Sequence, residues 1–440
     1  MLTYCASIWI RATLNKHNAK KLERVQALAL RIMSGAMPST PFIALNYITN
    51  ITSIIPFLGG EAAKGAARLQ GYGDWTLEKA PSSKGTINAH TTINNNFLDT
   101  LKIPKTAQRD LTIPLLILER NFNIDTPKDN LTDYRRSLED LIKLTPKDTI
   151  SCYTDGSRTE SGCGAGHITT TNNNNTIINE TYFRLPDYCT VFQAELSAIG
   201  DACNYLSTQQ NTDIIIWTDS LSSIQALTSN TSRSRTVINC YNSLQTLAVY
   251  NKVSVRWIAA HSGLWGNEKA DELAKLGTSS TNLIQCPIPQ SYIKTQIDSK
   301  VNDIDGELWR RNGQRHTNMT LGNNHKKIKK QLNTTLIHNR IRYRTAVHLI
   351  TGHCPLNKHL HTIQKVNSSI CPKCDLEEET VGHFLGQCPS TSLTRVNYFH
   401  DYYLSINEIF DNFSITNIIN YATHTNRFKE PEQLDQSGVT

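Results

Sequence analysis

Residues 214–224 read IIIWTDSLSSI. Three isoleucines and a tryptophan in succession describe a strand buried on both faces, and the serines after them open a helix. Ending directly on Asp219, such a strand delivers a carboxylate to the carboxyl end of a sheet, where open α/β sheets place their sites. One aspartate alone could equally mark where the strand leaves the core. Its companions decide.

Outward from this stretch the pattern alternates. TISCYTDGS (149–157) is a strand entering a turn, and CGAGHITT (163–170) and TIINETYFRL (176–185) are two strands joined by a polar tract. TVFQAELSAIGDACNYL (190–206) is a helix, SSIQAL (222–227) a short helix, and TVINCYNSLQTLAVY (236–250) a longer one. VSVRWIAAH (253–261) is a strand and GNEKADELAKLG (266–277) a helix. Three strands followed by alternating helix and strand predict an α/β fold, a mixed five-stranded sheet flanked by helices over 148–280.

The 440-residue chain has 39% hydrophobic residues, a mean hydropathy of −0.38 and a net charge of +7. The charge is uneven. Residues 148–280 carry 8 Lys+Arg against 12 Asp+Glu, a balance of −4, whereas 291–370 carry 14 against 4, a balance of +10. An acidic block beside a basic one suggests a site for cations next to a surface for a polyanion. No run of 18 apolar residues predicts a membrane span, and the 11 cysteines, scattered except near 371–388, read as reduced thiols. The expectation is an intracellular, soluble protein.

Four acids belong together in this pattern. Asp155 and Asp219 end the first and fourth strands, Glu195 lies on or beside the sheet-facing side of its helix, and Asp271 sits in the first turns of the last helix. Carboxylates gathered at one sheet end repel; two unit charges about 4 Å apart interact by about 4 kcal/mol at an effective dielectric near 20. Divalent cations relieve this, and hard oxygens without nearby Cys or His favour Mg²⁺ or Mn²⁺. Two such ions can activate water and stabilise the leaving oxygen of a phosphodiester.

Taken in order, YTDGS, FQAEL, TDS and WIAAHSGLWGNEKADELA resemble the successive motifs of type 1 ribonuclease H, especially the domains of non-LTR (LINE-like) retrotransposon polyproteins. The resemblance covers 148–280. It implies a ribonuclease H-like fold and hydrolysis of the RNA strand of RNA–DNA hybrids. Asp155, Glu195, Asp219 and Asp271 are then the metal-binding carboxylates, with two Mg²⁺ (or Mn²⁺) ions, and His261 the mobile histidine that transfers a proton or aids product release. One departure stands out: Ala259 and Ala260 occupy the place where retrotransposon members usually have Pro-Gly, and alanine restricts the backbone where glycine would not.

A second signal lies at Cys371, Cys374, His383 and Cys388, spaced C-x2-C-x8-H-x4-C. Three thiolates and an imidazole complete a closed, structural Zn²⁺ site, and the spacing resembles the cysteine–histidine motif behind the ribonuclease H domain in some non-LTR elements. Between the two, HKKIKK (325–330) and RIRYR (340–344) set basic residues around Ile328, Ile341 and Tyr343. Segment 325–344 reads either as a nucleic-acid contact, through charge and stacking, or as a solvated amphipathic helix.

Residues 1–70 read as helices. Leu22, Val25, Leu28, Ala29 and Ile32 form an apolar stripe and Gly35 a stop; the segment resembles the helical region downstream of a reverse-transcriptase palm. Residues 71–147 read as a connector, 281–365 as linker and basic segment, 366–392 as the zinc motif and 393–440 as a tail. Without a Tyr-x-Asp-Asp motif no polymerase activity is expected, so the chain looks like the C-terminal part of a polyprotein or a truncated copy. The alternative to an enzyme is a catalytically silent nucleic-acid-binding remnant. An integrase or resolvase fits the motif order less well.

Overall fold

The computed structural model describes residues 9–71, 108–112, 116–117, 119–125, 145–146, 148–171, 176–260, 263–313, 325–336 and 338–428. The chain divides into two compact units, Ala63–Ile297 and Met1–Ala62 with Asp298–Thr440.

The first unit is built on strands β1 (Asn123–Asp125), β2 (Ile150–Thr159), β3 (Gly162–Thr171), β4 (Thr176–Leu185), β5 (Asp213–Thr218) and β6 (Lys252–Trp257). Helices α1 (Val191–Tyr205), α2 (Leu221–Thr228), α3 (Arg235–Leu247) and α4 (Trp265–Gly277) complete it, numbered within this unit. The sheet order is β1-β6-β5-β2-β3-β4. β1, β6, β5 and β2 run parallel, and β2-β3-β4 form an antiparallel meander. This is the expected mixed sheet flanked by helices.

The opening strand explains itself. Ile214 and Ile216 face a core with Leu196, Ile199 and Leu244, while Ile215 and Trp217 face the other side with Tyr153, Ala270 and Leu273 of α4. Because side chains alternate across a strand, both faces of β5 had to be apolar.

The sheet has one strand more than the five expected. β1, within the segment read as connector, pairs in parallel with β6, and Asp125 bonds Arg256 at 2.8 Å. Three residues are too few to show a period, so no alternation could announce it. Asp110 of the same segment accepts from Ser234 Oγ and Thr236 N, both at 2.9 Å, where α3 begins. Most of 71–147 lies outside the described residues, as do 172–175 of the β3–β4 turn.

The second unit is helical. Helix Lys16–Ser34 stops on Gly35 in the left-handed conformation (φ 68°), as expected. Its packing face is not the expected one. Val25, Leu28 and Ile32 are exposed, whereas Gln26, Ala27, Leu30 and Ser34 are buried. The Gln26 carboxamide turns the helix this way: it donates to Thr52 O and accepts from Ile54 N, both at 2.8 Å, satisfying a buried helix start. Of the basic segment, Ile328 and Tyr343 are buried in this unit's core with Leu45, Ala346 and Ile350, and Ile341 is exposed. The Tyr343 ring is therefore not a stacking platform. Among the described residues no single helix is long and apolar enough to cross a membrane.

Candidate active site and metal cluster

Strand register brings the first acids together. β2 and β5 pair Tyr153 with Trp217 and Thr154 with Thr218, so Asp155 and Asp219 follow on adjacent parallel strands. Thr154 Oγ1 donates to Trp217 O at 3.1 Å, and Trp257 Nε1 donates to Asp219 O at 3.0 Å, fixing the strand end. Helix α1 begins at a capping box, in which Thr190 and Gln193 bond each other's backbone N–H. Two residues on, Glu195 is only 6% exposed. Gly156 lets it approach: a Cβ there would run into the backbone N of Glu195.

Asp155, Glu195 and Asp219 present oxygens all within 4.8 Å of one another. Burial first, then the charges of Asp219 and Asp271, push the Asp155 carboxyl up to about 7. Burial, with Asp155 and Asp219 adding repulsion, also raises the Glu195 carboxyl well above its ordinary range. Its Oε2 is buried with no hydrogen-bond partner. An orphaned oxygen within an all-carboxylate donor set suits a hard divalent cation better than a network of hydrogen bonds.

Asp271 does not join that group. It lies on α4, and its Oδ2 accepts from Lys275 Nζ at 2.6 Å. The helix itself is seated closely: a Cβ on Gly164 or Gly166 of β3 would meet the α4 backbone, and one on Gly266 would meet the Tyr153 ring. His261 lies outside the described residues. Ala259, before it, is buried.

Two neighbours escaped the sequence reading. Asn267, 4% exposed, donates Nδ2 to Asp219 Oδ2 at 3.3 Å, and its Oδ1 is unpartnered. Lys275 was legible only as the i+4 partner of Asp271.

In the second unit Cys371, Cys374, His383 and Cys388 also offer ligand atoms within 4.8 Å of one another. Cys371 Sγ is 3.9 Å from Cys388 Sγ, and Cys374 Sγ is 3.4 Å from His383 Nε2. A tetrahedron with Zn–S bonds of about 2.3 Å has S–S edges of about 3.8 Å, so the spacing fits. His383 Nδ1 bonds Glu377 Oε2 at 3.1 Å, leaving Nε2 to face the thiols. Desolvation would raise the Cys374 thiol, but the N–H groups of Leu376 and Glu377 outweigh it and bring the group down to about 7.

The surrounding shell is charged and buried. Arg395, 0% exposed, donates to the carbonyls of Leu385, Cys388 and Tyr402. Arg427 makes two 2.7 Å bonds to Glu379, which is 1% exposed. His353 and His359 stand apart from the cluster, both bonded to Ser39 Oγ, at 3.2 and 2.9 Å.

The six-stranded mixed sheet brings three acids together at the carboxyl ends of its two central strands. Residues 147–279 match the family model described as RNase H, so the chain carries an RNase H domain there. Two solved structures align with part of this chain. RNase H1 from the halophilic archaeon Halobacterium salinarum is 20% identical, over 29% of this chain and 96% of that chain, with a TM-score of 0.25. The N-terminal RNase H domain of a Mycobacterium tuberculosis protein, solved as a fusion with maltose-binding protein, is 18% identical over 30% and 98%, with a TM-score of 0.26. No curated protein matches.

Proposed function

We propose that this chain hydrolyses the RNA strand of RNA–DNA hybrids and derives from a non-LTR retrotransposon. The observation that carries the reading is the Asp155–Glu195–Asp219 cluster inside a segment matching the RNase H family. The three acids, with Asp271 released from Lys275, would hold two Mg²⁺ or Mn²⁺ ions. Bound there, such ions supply an activated water and charge neutralisation at the leaving oxygen. Asn267 orients the Asp219 carboxylate, and His261 moves a proton or helps product leave. Reading of the RNA strand would rest on its 2′-OH and groove shape.

The basic segment 325–344 adds a sequence-independent hold on nucleic acid, through charge rather than Tyr343. Among its described residues Lys326, Lys327, Lys330 and Arg340 are the exposed Lys and Arg cations. Cys371, Cys374, His383 and Cys388 would bind one Zn²⁺ as a structural staple, with no open position for chemistry.

The test is cleavage of a labelled hybrid by the full chain with Mg²⁺, beside Asp219→Asn. Cleavage confined to the RNA strand and lowered roughly 100-fold or more in the variant is expected. A folded chain that cuts nothing in Mg²⁺ or Mn²⁺ would instead favour the silent binding remnant, a reading to which the alanines before His261 lend some weight.

A further inference from the structure

Helix Lys16–Ser34 buries one face and leaves a second apolar face open. Val25, Leu28, Ile32 and Met33 are 49%, 59%, 60% and 62% exposed, Ala29 is exposed beside them, and Leu22 is half-buried. Single exposed apolar residues are ordinary, but a contiguous row marks a contact. Leu22, Val25, Ala29 and Ile32 follow steps of three, four and three, the spacing by which one helix seats another. Burial of Gln26, Ala27, Leu30 and Ser34 anchors the helix by its other side, so the row cannot turn inward.

The charges beside the row are one-sided. At 3.6 residues per turn, Lys20, Arg24 and Arg31 fall along one flank, and Lys21 stands at the N-terminal end of the row. Lys20, Lys21 and Arg24 are exposed. Arg340 reaches the other end, donating to Ile32 O at 3.2 Å. The opposite flank carries Leu22 and Met33 and no charge, and the helix's single acid, Glu23, lies on the packed side.

We infer that this face docks an amphipathic helix of a partner protein, apolar along its own seam and acidic on the flank that meets Lys20, Arg24 and Arg31. Acids there pair with the cations across the seam, as the charges bordering a coiled-coil seam do. A second copy is a poor occupant, because two-fold pairing of antiparallel helices sets each cationic flank against its like. A lipid surface would meet both flanks of the row, whereas the cations line one. Nucleic acid offers charge for the flank but nothing for the row.

The test measures binding of two labelled synthetic helices to the full chain by fluorescence anisotropy. Each is about three heptads long with leucine at the seam positions; one carries glutamate along one flank and the other lysine there. The glutamate helix should bind at least about tenfold more tightly than the lysine one. Ile32→Glu, at an exposed position, should weaken that binding about tenfold or more and leave the circular dichroism unchanged. Lys20→Glu with Arg24→Glu should reverse the preference between the two helices. Equal binding of both helices, or binding of neither, would overturn the inference. So would sedimentation as a dimer that Ile32→Glu dissolves, which makes a second copy the occupant. Binding to phosphatidylserine vesicles in place of either helix would overturn it too, in favour of a lipid surface.

Discussion

Asp155 and Asp219 stand one residue beyond the Thr154–Thr218 pair that closes the parallel β2–β5 register. Backbone pairing thus fixes the side-by-side placement of two like charges, and β2 cannot slip by one residue without turning every side chain to the other face. Repulsion is built into the strand pairing.

Relieving it should stabilise the domain. Asp155→Asn is expected to stabilise the metal-free chain by on the order of 1–3 kcal/mol at pH 7.5, and so raise its melting temperature, while hybrid cleavage is lost. Calorimetry in chelator beside a cleavage assay reads both. A variant less stable than the parent in chelator would contradict the electrostatic account.

The same pair sets a pH dependence. Burial pushes the folded Asp155 carboxyl up to about 7 from an ordinary 3.8, and Glu195 is raised as well. The folded state therefore holds these protons more tightly. Stability contributed by the neutral acids is present below about pH 4 and is lost as pH rises through about 7, by an amount on the order of a few kcal/mol. Urea titrations at pH 5 and 7.5 should show this decline in chelator and its reversal by Mg²⁺. A flat profile in chelator would refute it.

His167 carries the same sign in a higher pH window. It is fully buried on β3, with Nε2 bonded to Asp201 Oδ2 at 3.1 Å. Desolvation would lower its pKa, but Asp201 and Cys152 outweigh that and raise it to about 9. This contribution is complete below pH 6.5 and disappears as pH rises through 9. Asp201→Asn should cost roughly 1–3 kcal/mol at pH 6 and clearly less at pH 9.5. Equal losses at both values would show a role in packing alone.

For the cysteine cluster, one zinc per chain is expected by metal analysis, lost in Cys374→Ser. Glu377→Gln should keep the stoichiometry and weaken affinity about 10–100-fold, because the carboxylate orients His383 without touching the metal position. Competition with a chromophoric chelator measures this; unchanged affinity would remove Glu377 from the role.

Arg395 supports that cluster without an acid partner. Arg395→Met should cost about 3 kcal/mol or more, since the buried carbonyls of Leu385 and Cys388 lose their donor together. Thermal denaturation of the zinc-loaded chain decides it. A loss under 1 kcal/mol would mean that water replaces the guanidinium.

The sheet and its acids were legible because each depends on local pattern. Continuous apolar runs announced β5, and ordered motifs placed Asp155, Glu195 and Asp219. What stayed hidden depends on contacts between distant segments. Helix Lys16–Ser34 was readable as a helix, yet not its orientation, because a glutamine satisfying Thr52 and Ile54 outweighed an apolar stripe. β1 has no period of its own and exists through β6. The pairing of Asp271 with Lys275 needed side chains in place.

The glycines under α1 and α4 carry one more meaning. Gly156, Gly164, Gly166 and Gly266 leave no room for a Cβ. A glycine codon tolerates change only at its third base; a substitution at either of the first two installs a side chain or a stop. These four codons therefore keep a record of the fold: relatives of this chain that keep the domain folded should vary there only at the third base.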